Sequence, residues 1–351
     1  MSPRTLSLLI AGVLGMGLLI SAAASNVPYV ALGPGPAYDT LGKMGPKPDD
    51  KQVIEITGRR TYPTTGRIDL TTVGVSDNLT FAQALLGWFD DDLAVIPREV
   101  VYPKNRKKKD IDQENAQQMR VSQDNATSAA LRHLGIPITT EVKVDEIVPG
   151  SPAAGQLQPG DVLLFVDDVE VTDPAQLRDL TNSRAPGQSV RIGYRRGTDV
   201  AEVELTTVAT TAPNQPTRAV IGVLTSAAVR YPFTVAISLK DVGGPSAGLS
   251  FALGIIDKLD PVDITGGRHV AGTGEIDPQG KVGPIGGITQ KLIAAKRNGA
   301  TVFLVPEDNC AEAVSDAPAG LQLLRVGTLR EALVGLRILR DGGTPPLCSA
   351  A

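Results

Sequence analysis

The chain has 351 residues, 42% of them apolar and 21% charged, with a formal net charge of −4. That balance describes a globular protein long enough for two domains of ordinary size, and it leaves no basic footprint for nucleic acid. Two cysteines, Cys310 and Cys348, and two histidines, His133 and His269, give neither a disulfide framework nor metal-ligand spacing. A single Cys310–Cys348 bond and a free Cys348 both remain open. No motif asks for a cofactor.

The chain opens with Arg4 and then an uncharged run from Thr5 to Ala24. At about 20 residues, that run is long enough to cross a bilayer as a helix. The positive charge before it places that end in the cytoplasm and the remainder outside. Ser21-Ala22-Ala23-Ala24-Ser25 also reads as a signal-peptide cleavage site, so an anchor over residues 1–26 and a secreted form both stand. The length of the run favours the anchor.

Residues 27–103 read as short strands and one helix. Residues 27–32 and 53–56 are strand-like, and residues 67–73 alternate polar and apolar as a half-buried strand does. Asp77 or Asn78 is placed to cap a helix through Leu79, Ala82, Leu85 and Trp88. Residues 104–124 are polar, start with the basic run Lys104-Asn105-Arg106-Lys107-Lys108-Lys109, and read as a solvated linker.

A second module follows over residues 125–211. A helical stretch leads to Leu134-Gly135-Ile136, then a strand at 141–144, the turn Gly150-Ser151-Pro152-Ala153, and Pro159-Gly160-Asp161-Val162-Leu163. Asp173-Pro174 caps a short helix, and two strands close the module. Residues 212–216 form a Pro-containing linker into residues 212–340, and residues 341–351 read as a flexible tail.

The chemistry concentrates in residues 212–340. Asp241-Val242-Gly243-Gly244-Pro245-Ser246-Ala247-Gly248 follows a strand and runs into a helix marked by Leu249, Phe251, Leu253, Ile256 and Leu259. Pro245 suits the opening of that helix, and Ser246 would sit where backbone N–H groups have no partner. Such a position suits a nucleophilic serine, with the amides around Gly244 and Ser246 stabilising an oxyanion. A serine needs a base, and two scattered histidines make a Ser-His-Asp triad hard to build. The alternative is Lys291, in the first turn of the helix after Gly286-Gly287. The positive end of that helix and its apolar neighbours lower the lysine pKa towards general-base range. Lys296 is about 140° further round the same helix and cannot share the site.

Gly244-Pro245-Ser246-Ala247-Gly248, Thr273-Gly274-Glu275-Ile276 and Pro284-Ile285-Gly286-Gly287-Ile288-Thr289-Gln290-Lys291-Leu292 together resemble the three signature blocks of the Lon protease proteolytic domain. The resemblance implies Ser246 as nucleophile, Lys291 as general base and Thr273 as a hydroxyl that orients the lysine. One departure stands out: the family often has an aspartate three residues before the serine, here Gly243, with Asp241 two residues further back. Residues 27–103 resemble the opening half of the same domain. Residues 125–211 resemble the PDZ domains of bacterial envelope proteases, which implies peptide capture at Leu134-Gly135-Ile136, next to Pro137. A spacer or lid role for that module is the alternative.

The expected fold is therefore α+β, a Lon-type (S5-like) proteolytic domain with a PDZ-like module inserted and one N-terminal transmembrane helix. No G-x-x-x-x-G-K-[ST] motif occurs, and the chain has no length left for an ATPase domain, so ATP-independent cleavage of protein or peptide substrates outside the cytoplasm is expected. A proteolytically silent, membrane-tethered PDZ adaptor is the rival. Lon-like domains commonly form rings, so a homo-oligomer is implied by resemblance.

Overall fold

The computed structural model describes residues 3–45, 47, 49–210, 217–239 and 242–349, with side chains from residue 9 on. The chain divides into two compact units. Unit 1 joins both ends, Met1–Ile136 and Phe233–Ala351, and unit 2 is Pro137–Pro232.

Unit 1 begins with α1 (Pro3–Ala24), β1 (Tyr29–Asp39), β2 (Ile54–Thr57), β3 (Arg67–Ser76), α2 (Phe81–Gly87), β4 (Ala94–Pro97), α3 (Arg98–Val101) and α4 (Lys108–His133). Unit 2 contains β5 (Thr139–Ile147), β6 (Val162–Val166), β7 (Val169–Glu170), α5 (Pro174–Asn182), β8 (Ser189–Arg196), β9 (Asp199–Thr206), β10 (Val208–Thr210), β11 (Arg218–Val220) and β12 (Val223–Arg230). Unit 1 resumes with β13 (Thr234–Ile237), α6 (Gly248–Leu259), β14 (His269–Gly272), β15 (Glu275–Ile276) and β16 (Val282–Gly283). It ends with α7 (Ile288–Arg297), β17 (Val302–Pro306), α8 (Cys310–Ser315), β18 (Gln322–Val326) and α9 (Leu329–Arg340).

The two ends of the chain make one sheet, in the order β18-β17-β14-β3-β1-β4. β14 from the second half pairs in parallel with β3 from the first, His269 opposite Arg67 and Gly272 opposite Leu70. Neither half closes this core alone, because the strand neighbours of each include the other. The core is apolar on both sides of the sheet: Ile68, Leu70, Val270, Phe303 and Leu304 are buried in strands, and Leu249, Phe251, Leu253 and Ile255 in α6. Where β14 meets β3, buried Asp69 accepts from His269 Nε2 at 2.6 Å and from Arg67 at 3.2 Å. One of the two histidines is thereby occupied in a structural hydrogen bond.

Several expectations are corrected. Residues 104–124 are not a linker for most of their length, because Lys108–His133 is a single helix of unit 1. Its polar composition hides a buried stripe of Met119, Ser122, Ala126, Ala129 and Ala130 at helical spacing, made of small residues that hydropathy does not flag. α2 is capped by Thr80, not Asp77 or Asn78: Thr80 accepts from Gln83 N–H while the Gln83 side chain accepts from Thr80 N–H. Residues 218–230 belong to unit 2, because β12 pairs along its whole length with β5. The tail is tied down by a Cys310–Cys348 disulfide and by Cys348 N–H bonding the Leu323 carbonyl at 3.0 Å. The linker at 212–216 and Asp241 lie outside the described residues.

Among the described residues no helix is long and apolar enough to cross a membrane. Leu9, Ile10, Val13, Leu14, Leu18 and Leu19 are exposed on α1.

Candidate active site

Three glycine-rich turns of unit 1 meet at the C-terminal ends of β3 and β14. The first carries Ser246, which lies in the turn before α6 and not in the helix itself. The second follows β14 with Thr273 and Gly274. The third, ending in left-handed Gly287 (φ 69°), opens α7, and Lys291 sits in that helix's first turn. Gly287 is required twice over, since a Cβ there would also stand 2.7 Å from Val73.

Lys291 Nζ is 3.0 Å from Ser246 Oγ and 3.2 Å from Thr273 Oγ1. Thr273 Oγ1 donates in turn to the Ser246 carbonyl at 3.1 Å, so towards the lysine it is an acceptor. The Ser246 carbonyl also accepts from Gly274 N–H at 2.8 Å, and Leu249 N–H donates to the Gly274 carbonyl at 3.1 Å. The serine turn is thereby stitched to the Thr273 turn through backbone. Ser246 is half-buried, while Lys291 and Thr273 are 3% and 0% exposed. Burial of Lys291 pushes its pKa down to about 8, and the Glu275 carboxylate pulls it partly back up. A neutral Lys291 has a lone pair directed at the serine proton and an N–H left for Thr273. Ser246 and Lys291 border a cleft of about 540 Å³ with Met119, Glu275 and Ile285 on its walls, and Thr273 lies behind them.

The expected oxyanion pair is corrected in one member. Gly244 N–H donates to the Asn115 carbonyl of α4 at 3.0 Å and is not free. The Ser246 amide has no backbone acceptor among the described residues. Gly243 is also explained by α4, because a Cβ at that position would stand 2.8 Å from Asn115 Cβ. Sequence reasoning missed Glu275 and the α4 residues. Glu275 had a signal, since it stands two places after Thr273 in the same short block. Asn115 and Ser122 had none.

Leu134, Gly135 and Ile136 do not form a peptide-capturing loop. They cap α4 at its C-terminus: Gly135 N–H bonds the Arg132 carbonyl at 3.0 Å and Ile136 N–H the Leu131 carbonyl at 2.9 Å. Those amides are used, and Gly135 takes the left-handed conformation such a cap needs (φ 65°).

Unit 2 has a groove elsewhere. β12 is the last strand in the order β12-β5-β6-β8-β9, so its outer edge is unpaired among the described residues. α5 turns Pro174, Leu177, Arg178 and Thr181 towards the same space, of about 620 Å³. At the start of β12 the Ile221 and Gly222 carbonyls accept from Ala153 N–H at 3.0 Å and Val148 N–H at 2.9 Å. In trans peptides this leaves the Gly222 and Val223 amides facing away from the 148–153 turn.

Residues 237–332 match the model of the Lon protease (S16) C-terminal proteolytic domain, and residues 115–207 match that of the PDZ domain. The chain thus carries a Lon-type proteolytic domain and a PDZ domain. Unit 2 continues to Pro232, so β11 and β12 lie beyond the matched PDZ stretch. Similar proteins include a Lon protease of Azospirillum brasilense, 39% identical over 93 residues, covering 26% of this chain and 11% of that one. Lon protease 2 of Bacillus subtilis (strain 168) is 39% identical over 92 residues, 26% of this chain and 16% of that one. The matched part thus spans well under a fifth of these relatives' length. The solved PDZ domain of an SdrC-like protein from Listeria monocytogenes aligns at 23% identity with a TM-score of 0.22, covering 24% of this chain and 85% of that one. Its Listeria innocua counterpart aligns at 27% identity and TM-score 0.22, covering 24% and 92%.

Proposed function

We propose that the chain is an ATP-independent serine endopeptidase in which Ser246 is the nucleophile and Lys291 the general base. The observation that supports this most is the 3.0 Å contact between Lys291 Nζ and Ser246 Oγ in a setting that holds the lysine near pKa 8. As Ser246 Oγ bonds the scissile carbonyl carbon, its proton passes to Lys291 and the carbonyl oxygen becomes an oxyanion facing the Ser246 amide. Lys291 then gives that proton to the leaving amine, and the peptide bond breaks to an acyl-enzyme. Water then loses a proton to Lys291 as it bonds the acyl carbon, and the intermediate collapses to the free acid as Ser246 Oγ leaves and takes that proton back from Lys291. Thr273 holds the lysine in line throughout.

Unit 2 is the reader of extended peptides in this proposal, adding them to the open edge of β12 opposite α5. The working part lies outside the cytoplasm, with the N-terminal run as its membrane tether. Support comes from the Cys310–Cys348 bond, a type that persists in oxidising compartments, and from the exposed apolar side chains of α1. With the residues before Leu9 counted in, the sequence run reaches the about 20 residues of a crossing. The test is incubation of the chain with unfolded β-casein and no nucleotide. Cleavage that vanishes in Ser246→Ala and Lys291→Ala is expected. Cleavage undiminished in either variant overturns the assignment, and peptide binding with no turnover at any pH favours the silent adaptor.

A further inference from the structure

The Ser246 turn is braced by an element outside the three signature blocks. α4 meets it and its neighbours through the Asn115 carbonyl on Gly244 N–H (3.0 Å), Ser122 Oγ on the Pro245 carbonyl (2.8 Å) and Asn125 Nδ2 on the Ile276 carbonyl (3.0 Å). Ser122 is 2% exposed. A hydroxyl inside a helix commonly turns back to the carbonyl four residues earlier, as Thr127 does to Gln123 at 2.8 Å. Ser122 instead leaves its own helix. Its approach depends on a glycine at the start of α6, since a Cβ on Gly248 would stand 3.0 Å from Ser122 Oγ.

The Pro245 carbonyl and the Ser246 N–H belong to one planar peptide, and no cis bond occurs among the described residues. In a trans peptide the two groups point in opposite directions, so fixing the carbonyl fixes the aim of the amide. The next peptide is fixed too, because the Ser246 carbonyl is held by Thr273 and Gly274. With Gly244 N–H taken by Asn115, the Ser246 amide is a donor this turn retains among the described residues. We infer that Ser122 is a positioning residue: through the Pro245 carbonyl it aims the Ser246 N–H at the developing oxyanion. It touches neither substrate nor reacting atoms, and the inference rests on the Ser246–Lys291 reading of the site.

The test uses the full chain, labelled β-casein, and the variants Ser122→Ala, Ser122→Thr and Ser246→Ala, with the wild-type and Ser122-variant rates normalised to the fraction that a fluorophosphonate labels at saturation and the Ser246→Ala rate given per total protein. Outright loss of an oxyanion donor costs about 10²–10³ in kcat, so a misaimed one in Ser122→Ala is expected to cost about tenfold. KM should stay within about twofold and the rising limb of the pH profile, set by Lys291, should not move. Affinity for a peptide boronate, which forms a tetrahedral adduct on the serine, should fall by the same factor as kcat. Ser122→Thr keeps the hydroxyl and should restore most of the rate. A wild-type kcat in Ser122→Ala, a loss appearing only as raised KM, or a displaced pH limb would overturn the inference while the dyad stands. A wild-type chain that cleaves nothing, or a Ser246→Ala variant as active as wild type, would overturn the site reading and this inference with it.

Discussion

The pH profile carries the most quantitative consequence of the site. Lys291 works as a base only when neutral, and its burial brings its pKa from the ordinary 10.5 of a lysine to about 8. At pH 7 about one lysine in ten is then neutral and at pH 9 about nine in ten, so kcat/KM for β-casein should rise about tenfold and level off. A solvated lysine would gain about tenfold for each of those two units, about a hundredfold, with no plateau. Glu275 is the handle on this value, because its carboxylate favours the charged lysine. Glu275→Gln removes that attraction, lowers the lysine pKa and moves the limb to lower pH, so the variant gains on wild type below pH 8 and matches it above. The assay is initial casein cleavage in constant-ionic-strength buffers from pH 6 to 10. A profile flat between pH 7 and 9, one still rising past pH 9.5, or a Glu275→Gln limb moved upward would refute the reasoning.

Two further outcomes concern stability. Asp257 is 1% exposed, and burial pushes its pKa up to about 6, with Oδ1 accepting from Ile264 N–H at 2.8 Å and Oδ2 without a hydrogen-bond partner among the described residues. The folded state holds this proton more tightly than the unfolded one, so stability is highest below about pH 4 for this group and falls by about 3 kcal/mol as pH rises to 6. Urea melts of Asp257→Asn should lack that slope; an unchanged slope would contradict the assignment. The Cys310–Cys348 bond spans a separation of 38 residues. By loop entropy it is worth about 4 kcal/mol, so the Cys310→Ser/Cys348→Ser double variant should melt well below wild type, and an equal midpoint would contradict this.

What was legible in the sequence was whatever a short motif encodes. Ser246, Thr273 and Lys291 each follow a glycine-rich turn at a strand end or helix start, and the glycines announce where backbone crowds a site. What stayed hidden was carried by residues with no compositional mark. The first part of α4, up to residue 124, read as a polar linker because only Met119 and Ser122 are buried there, and its contacts run from residue 122 to 245, beyond any local pattern. Leu134-Gly135-Ile136 misled for a related reason: a glycine flanked by apolar residues also ends a helix, and that use took the amides. The groove at β12 was out of reach because its strand comes after the linker at 212–216 and pairs back with β5, a register only the fold reveals.

The most direct test of the dyad is covalent. A fluorophosphonate reacts with a serine only when a neighbouring base has drawn off its proton, so the intact chain treated at pH 9 should gain one adduct, mapped by peptide mass spectrometry to Ser246. The account predicts that this labelling slows at least about a hundredfold in Lys291→Ala and about tenfold between pH 9 and pH 7 in wild type. Label on another residue, or on Ser246 at the same rate without Lys291, would contradict it.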